Sequence, residues 1–182
     1  GCPNIYEATI QHSGLMCMID ILHKTEDGWE LIEVKSSTSE KEVTLKDIAI
    51  QYFILKKTGL PISKFKLCHI NNQYVREKVL DLKKLFSIVD LSEKVIAMQE
   101  EVQAELRKLE PVIKQHQEPE IAIGPQCFSP YESDGKAYCW EKIPDYSVFN
   151  ISGMKIEKKF ELYYKGYVHL NEMPIERPSD KE

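Results

Sequence analysis

The sequence predicts a mixed α/β (α+β) domain: a mixed four-stranded sheet with one crossover helix, followed by a helical and irregular C-terminal appendage. Three observations predict it. Three short segments rich in Ile, Val, Leu, Met and Tyr open the chain, separated by turn-forming stretches. An apolar helical run then precedes a fourth segment of the same kind, and the irregular, proline-bearing stretches come late.

Residues 5–10, 15–23 and 29–35 read as three strands of an antiparallel meander, turned at His12-Ser13-Gly14 and at Glu26-Asp27-Gly28. Thr44 with Asp47 has the spacing of a capping box and opens a helix over 45–57, which Gly59 and Pro61 close. Residues 65–70 form a fourth strand. Because a helix separates it from the third, a crossover connection can lay it parallel beside that strand. Asp90 with Glu93 begins a longer helix to about residue 115, with apolar residues stepping by three or four and Pro111 as the expected kink or restart. Residues 117–150 contain four of the nine prolines and two of the five cysteines, an irregular region expected to need something other than a core to order it. A last helix over 155–165 ends at Gly166. The chain therefore divides into a core over 1–90, a long helix over 91–116, an irregular segment with its helix over 117–173 and a polar tail over 174–182.

A chain of 182 residues with 42% hydrophobic content can bury a core of ordinary domain size. Its net charge of −5 excludes a protein that collects on nucleic acid or anionic membrane by total charge, though a cleft needs only local positive lining. No stretch approaches the roughly 18 apolar residues of a membrane span, and residues 1–20 lack the pattern of a secretory signal. Five cysteines without framework spacing suit a reducing compartment, so a cytoplasmic location is expected. The start at Gly1 without Met and the polar end suggest a piece of a larger protein with further domains.

The chemistry gathers on the second and third strands. Side chains alternate along a strand, so Leu31, Glu33 and Lys35 share one face while Ile32 and Val34 take the other. A carboxylate and an ammonium in so apolar a strand are costly unless paired or coordinated. Asp20 is the lone charge in the preceding run 16–22, and pairing around the 24–28 turn brings it level with Glu33. Two facing carboxylates repel, and a cation between them resolves the repulsion; an all-oxygen site of this kind suits Mg²⁺ or Mn²⁺. Read singly, the same residues are an exposed cross-strand ion pair and a strand end. On the helix, Gln51 is the lone amide in the apolar run 48–55, and Asp47 lies one turn before it on the same stripe.

An Asp, then Glu-Xaa-Lys on the next strand, then a helix bearing Gln resembles the RecB-like branch of the PD-(D/E)XK nuclease superfamily, which includes CRISPR-associated exonucleases. The residues are Gly14 and Asp20, Glu33-Val34-Lys35-Ser36-Ser37-Thr38, and Asp47-Ile48-Ala49-Ile50-Gln51-Tyr52. More narrowly, residues 4–173 resemble a bacterial domain family of unknown function in which such a core precedes a Cys-containing segment. The matching residues here are Ile123-Gly124-Pro125-Gln126-Cys127, Pro130-Tyr131-Glu132, Tyr138-Cys139-Trp140 and Ser147-Val148-Phe149.

The resemblance implies a restriction-endonuclease-like core that hydrolyses DNA phosphodiester bonds. It implies Asp20, Glu33, Lys35 and Gln51 as catalytic residues, and Asp20 and Glu33 as metal holders. The family's sites are usually completed by a helix and a further acidic or His residue before the first strand; here Glu7 is the acidic candidate for the metal. Relatives often hold an iron–sulfur cluster on four thiolates. Cys127 and Cys139 stand at the matching positions, but Ser133 replaces an intervening cysteine and the upstream ligand is Cys2 or none. Three thiols at most are a poor set, so no cluster is expected, with the two cysteines packing as small apolar groups.

Further candidates are the basic side of the last helix, Lys155, Lys158, Lys159 and Lys165, and the polar stretch His69, Asn71, Asn72 and Tyr74 after the fourth strand. The alternative to a nuclease is an inactive nuclease-like nucleic-acid-binding or scaffold module. A small-molecule α/β enzyme finds no Gly-rich phosphate loop and no Ser/His nucleophile arrangement.

Overall fold

The computed structural model describes residues 3–172. Strands β1 (Asn4–His12), β2 (Leu15–Thr25) and β3 (Gly28–Lys35) form the expected antiparallel meander. The first turn takes Ser13 and Gly14, both at positive φ, the geometry of a tight two-residue hairpin. At the second, a Cβ added to Gly28 would come within 2.6 Å of the Pro61 carbonyl oxygen, which also accepts the Trp29 N–H at 2.8 Å. Only glycine fits there.

Helix α1 (Glu42–Thr58) crosses over to β4 (Ile62–Ile70), which lies parallel to β3. The helix starts before the expected capping box, at Lys41 without a side-chain cap. Thr44 is buried and Asp47 is drawn instead to Lys35, so neither serves the helix end. Gly59, left-handed at φ 77, closes the helix as predicted.

The sheet has five strands, not four. A short helix α2 (Leu82–Leu85) leads into β5 (Phe86–Asp90), antiparallel to β4, and the order is β1-β2-β3-β4-β5. Asp90, expected to open a helix, ends this strand; its carboxylate accepts from the N–H and hydroxyl of Ser92. The long helix is two pieces, α3 (Ser92–Ala97) and α4 (Gln99–Lys114). The break falls at Met98 and not at Pro111, which α4 carries in its interior. There the Gln99 side-chain amide donates to the carbonyl of Val95, in the last turn of α3, and to that of Ala49 on α1.

The chain divides into two compact units, Gly1–His116 and Gln117–Glu182. In the first, Ile19, Leu31, Ile48, Leu55, Phe65 and Leu67 bury between the sheet and α1, with Leu91, Val95 and Val102 extending the core. Each such side chain contributes about 1.5–3 kcal/mol. The opposite sheet face carries Met16, Met18, Val34 and Ile88 exposed by 40–68%. No described element of this unit covers it, although parallel strands are usually covered on both sides.

The second unit contains α5 (Lys136–Cys139), α6 (Ile156–Tyr164) and short 3₁₀ turns. The expectation that this region lacks an ordering core is overturned. Ile123, Cys127 and Phe160 are buried, with Phe128, Trp140, Phe149 and Tyr163 packed on them. The rings meet edge to face, Trp140 and Phe149 at 4.5 Å and Phe149 and Phe160 at 5.0 Å between centroids. Among the described residues, no helix is long and apolar enough to cross a membrane.

Candidate active site

Strand alternation is realised as expected: Glu33 is buried at 3% exposure while Val34 faces solvent at 40%. The β2–β3 ladder runs from Thr25–Gly28 to Ile21–Ile32 and stops. The next position would pair Asp20 with Glu33. Here the strands part, and the Asp20 carboxylate itself takes the Val34 N–H at 2.6 Å. The β1–β2 ladder also skips this level, passing from Tyr6–Ile21 to Ala8–Ile19. Glu7 occupies the skipped position with φ 52, an uncommon conformation for a residue with a side chain. It is exposed, and among the described contacts none joins it to Glu33 or Lys35.

Helix α1 closes the site from above. Gln51 donates its amide to Glu33 Oε2 at 2.9 Å, and Lys35 Nζ lies 2.6 Å from Glu33 Oε1 and 3.2 Å from Asp47 Oδ2. The spacing has a geometric cause. Two residues of strand advance about 6.6 Å and four residues of helix about 6 Å, so α1, running back over β3, matches Gln51 to Glu33 and Asp47 to Lys35. Asp47 is thus a member that the shared stripe indicated without assigning a partner. Gln51 Oε1 is buried without a hydrogen-bond partner.

Burial pushes the Glu33 carboxyl above its ordinary range, against the bonds from Lys35 and Gln51 that favour its charge, and Asp20 adds to the upward push. Burial acts to lower Lys35, but Glu33 and Asp47 outweigh it and hold the ammonium above its ordinary range. The surroundings are thus unfavourable to the carboxylate, through burial, and favourable to the ammonium, through its two partners. The Glu33 side chain is 4% exposed and Lys35 36%, so the cost of desolvation falls on the carboxyl, while the lysine gains from two partners. Cys17, two residues before Ile19 on β2, has its thiol pushed up by burial and by Asp47. His69, expected to follow the fourth strand with the polar candidates Asn71, Asn72 and Tyr74, lies within β4 and is paired with Lys35 across the β3–β4 ladder, beside the site.

A second Glu–Lys pair, Glu30 with Lys66 at 2.6 Å, lies on the other sheet face as a simple cross-strand bridge. It lacks the further carboxylates and the amide that surround Glu33.

The remaining candidates belong to the second unit or fall outside the described residues. Cys127 is buried in the aromatic core and Cys139 is exposed at the end of α5. Ser133 donates its N–H to the Cys127 carbonyl. Cys2 and the tail over 174–182 lie outside the described residues. Of the basic residues at α6, Lys159 is committed to the Phe149 carbonyl at 2.7 Å. Among the described residues, no group of three or more His, Cys, Asp or Glu side chains converges as a metal cage. Compared with known proteins, the sequence matches no family model and no curated relative.

Proposed function

We propose that the first unit is a metal-dependent nuclease core of the RecB-like PD-(D/E)XK type, with a restriction-endonuclease-like sheet, acting on DNA phosphodiester bonds. The observation that carries this reading is the convergence of Asp20, Glu33, Lys35 and Gln51 where β2 and β3 part.

The residues suit a divalent cation. Asp20, Glu33 and Asp47 set three carboxyl groups against the one ammonium of Lys35, and burial leaves the Glu33 carboxyl in want of a further cation. The lack of a three-ligand cage among the described residues is compatible with Mg²⁺, which keeps several waters and binds through one or two carboxylates plus substrate phosphates. Asp20 and Glu33 would hold Mg²⁺ or Mn²⁺, which would supply a water of lowered pKa and offset charge on the phosphoryl oxygens.

The chain's own groups do the rest. Val34 N–H fixes the Asp20 carboxylate and Gln51 fixes that of Glu33, so neither must reorganise when substrate arrives. Lys35 presents a permanently charged ammonium to an oxygen that becomes more negative during the reaction. Asp47 keeps that ammonium in place. The choice of DNA among phosphodiesters rests on the resemblance of the Asp20, Glu33-Val34-Lys35 and Gln51 pattern.

The test is cleavage of labelled single- and double-stranded DNA by the full chain with Mn²⁺ or with chelator. Cleavage should require the metal and fall about 10²–10³-fold in Glu33→Ala and in Lys35→Ala, each checked for retained fold by circular dichroism. Unchanged cleavage in both variants would sink the assignment. Metal binding without cleavage would favour a nucleic-acid-binding or scaffold module.

A further inference from the structure

The connection between β4 and β5, residues 71–85, leaves the sheet beside the candidate site. His69 pairs with Lys35, and the Ile70 N–H donates at 2.9 Å to the carbonyl of Ser37, on the segment that leaves β3. Both exits therefore lie at the C-terminal end of the parallel pair, where ligands of such sheets commonly bind.

The connection is braced. At its base the Asn71 N–H donates to Leu85 O at 2.7 Å and the Asn71 amide to Lys84 O at 2.9 Å; across its middle the Asp81 N–H donates to the Tyr74 hydroxyl at 2.9 Å. It thus presents its side chains from a closed, pinned loop, a form often functional.

Those side chains are unusual in two ways. Arg76, Lys78, Lys83 and Lys84 are exposed against two acids, Glu77 and Asp81, in a chain whose net charge is −5. One of the two acids is partly consumed within the loop, since Asp81 accepts from Lys83 N–H and pairs with Lys84 at 3.7 Å. Beside the cations in sequence stand Val75 at 78% exposure and Val79 at 85%, with Leu82 at 58%. A solvated loop has no need of aliphatic groups at its tip. A ligand that is both polyanionic and apolar-faced uses both kinds of side chain.

We propose that residues 71–85 are the surface over which a nucleic-acid strand enters the Asp20–Glu33–Lys35 site, the cations taking phosphates and the valines packing on sugars and bases. The proposal rests on the nuclease reading for its choice of ligand. An anionic lipid surface has similar chemistry, but the loop opens beside a cluster suited to phosphodiesters, which favours nucleic acid.

The experiment measures binding of fluorescent single- and double-stranded oligonucleotides to the full chain by anisotropy over a salt series, with chelator present to prevent cleavage. Arg76→Ala/Lys78→Ala should weaken binding about tenfold at low salt and flatten the salt dependence by about two phosphate contacts. Val75→Ser/Val79→Ser should weaken binding without changing the salt slope. Thermal melts establish that the variants are folded. Unchanged binding in both variants, with wild-type binding and Mn²⁺-dependent cleavage intact, overturns the loop assignment and leaves the nuclease reading standing. A wild type that binds no oligonucleotide overturns the loop assignment, and one that also fails to cleave DNA with Mn²⁺ overturns both. Loss of binding to phosphatidylserine vesicles in the variants, with oligonucleotide binding unchanged, overturns the proposal in favour of a membrane.

Discussion

The two units bury reactive side chains on opposite terms. In the first, the Glu33 carboxylate is enclosed with Lys35, Gln51, Asp20 and Asp47 around it, and burial still holds its proton affinity up. In the second, the Cys127 thiol is enclosed by Ile123, Phe128 and Phe160, and its neighbours are apolar. A thiol so placed behaves as a small hydrophobe and contributes to stability. A carboxylate so placed costs stability, and a fold that commits several polar partners to keeping it there is holding a chemical group ready. The Glu30–Lys66 bridge shows that a buried Glu can also be managed with a single cation.

The contrast can be broken most forcefully in the second unit. Phe160→Ala removes the ring at the centre of the aromatic core and should cost about 3–5 kcal/mol. Hydrogen exchange would then show lost protection within residues 117–172 while amides of β3 and α1 keep theirs. If protection fell equally in both, the units would share one cooperative transition.

Glu33→Gln tests the opposite sign. DNA cleavage should fall about 10²–10³-fold, while stability at neutral pH rises by about 0.5–2 kcal/mol, Asp47 still pairing Lys35. The folded carboxyl has its pKa raised above the ordinary 4.5, so over the window above that value the folded state holds more proton than the unfolded. Its contribution to stability therefore declines as pH rises through that window, and cation affinity grows over the same range. Urea unfolding across a pH series should show the decline in the wild type and a flatter profile in the variant; a wild type that gains stability there would reverse the sign assigned to Glu33.

The smallest effect separates the two cysteines. Cys127→Ser buries a hydroxyl among rings and should cost about 1–3 kcal/mol, whereas Cys139→Ser, exposed, should stay within about 0.5 kcal/mol. Equal large losses, seen in thermal melts, would mean that the two thiols share a ligand and that packing is not their role.

The first unit was legible to the extent that its signals were periodic. Alternation put Glu33 and Lys35 on one face, and a lone charge and a lone amide in apolar runs marked Asp20 and Gln51. Strand β5 was not legible, because its outward residues are Phe86 and Ile88 and one of its inward residues is Ser87, the inverse of the usual pattern. The capping pattern at Thr44 and Asp47 misled because tertiary contacts claimed both residues. The aromatic core was hidden for another reason: Phe128, Trp140, Phe149 and Phe160 come from separate segments with no common period, and only folding brings them together.

The sheet face that α1 leaves bare has a practical use. Its two exposed thioethers, Met16 and Met18, lie on β2, the strand that also carries Asp20. Mild peroxide converts accessible methionine to its sulfoxide, a mass change that can be read peptide by peptide. Without any substitution, these two sulfurs can serve as a built-in footprint, reporting whether that face is in water or covered in whatever assembly the protein is isolated from.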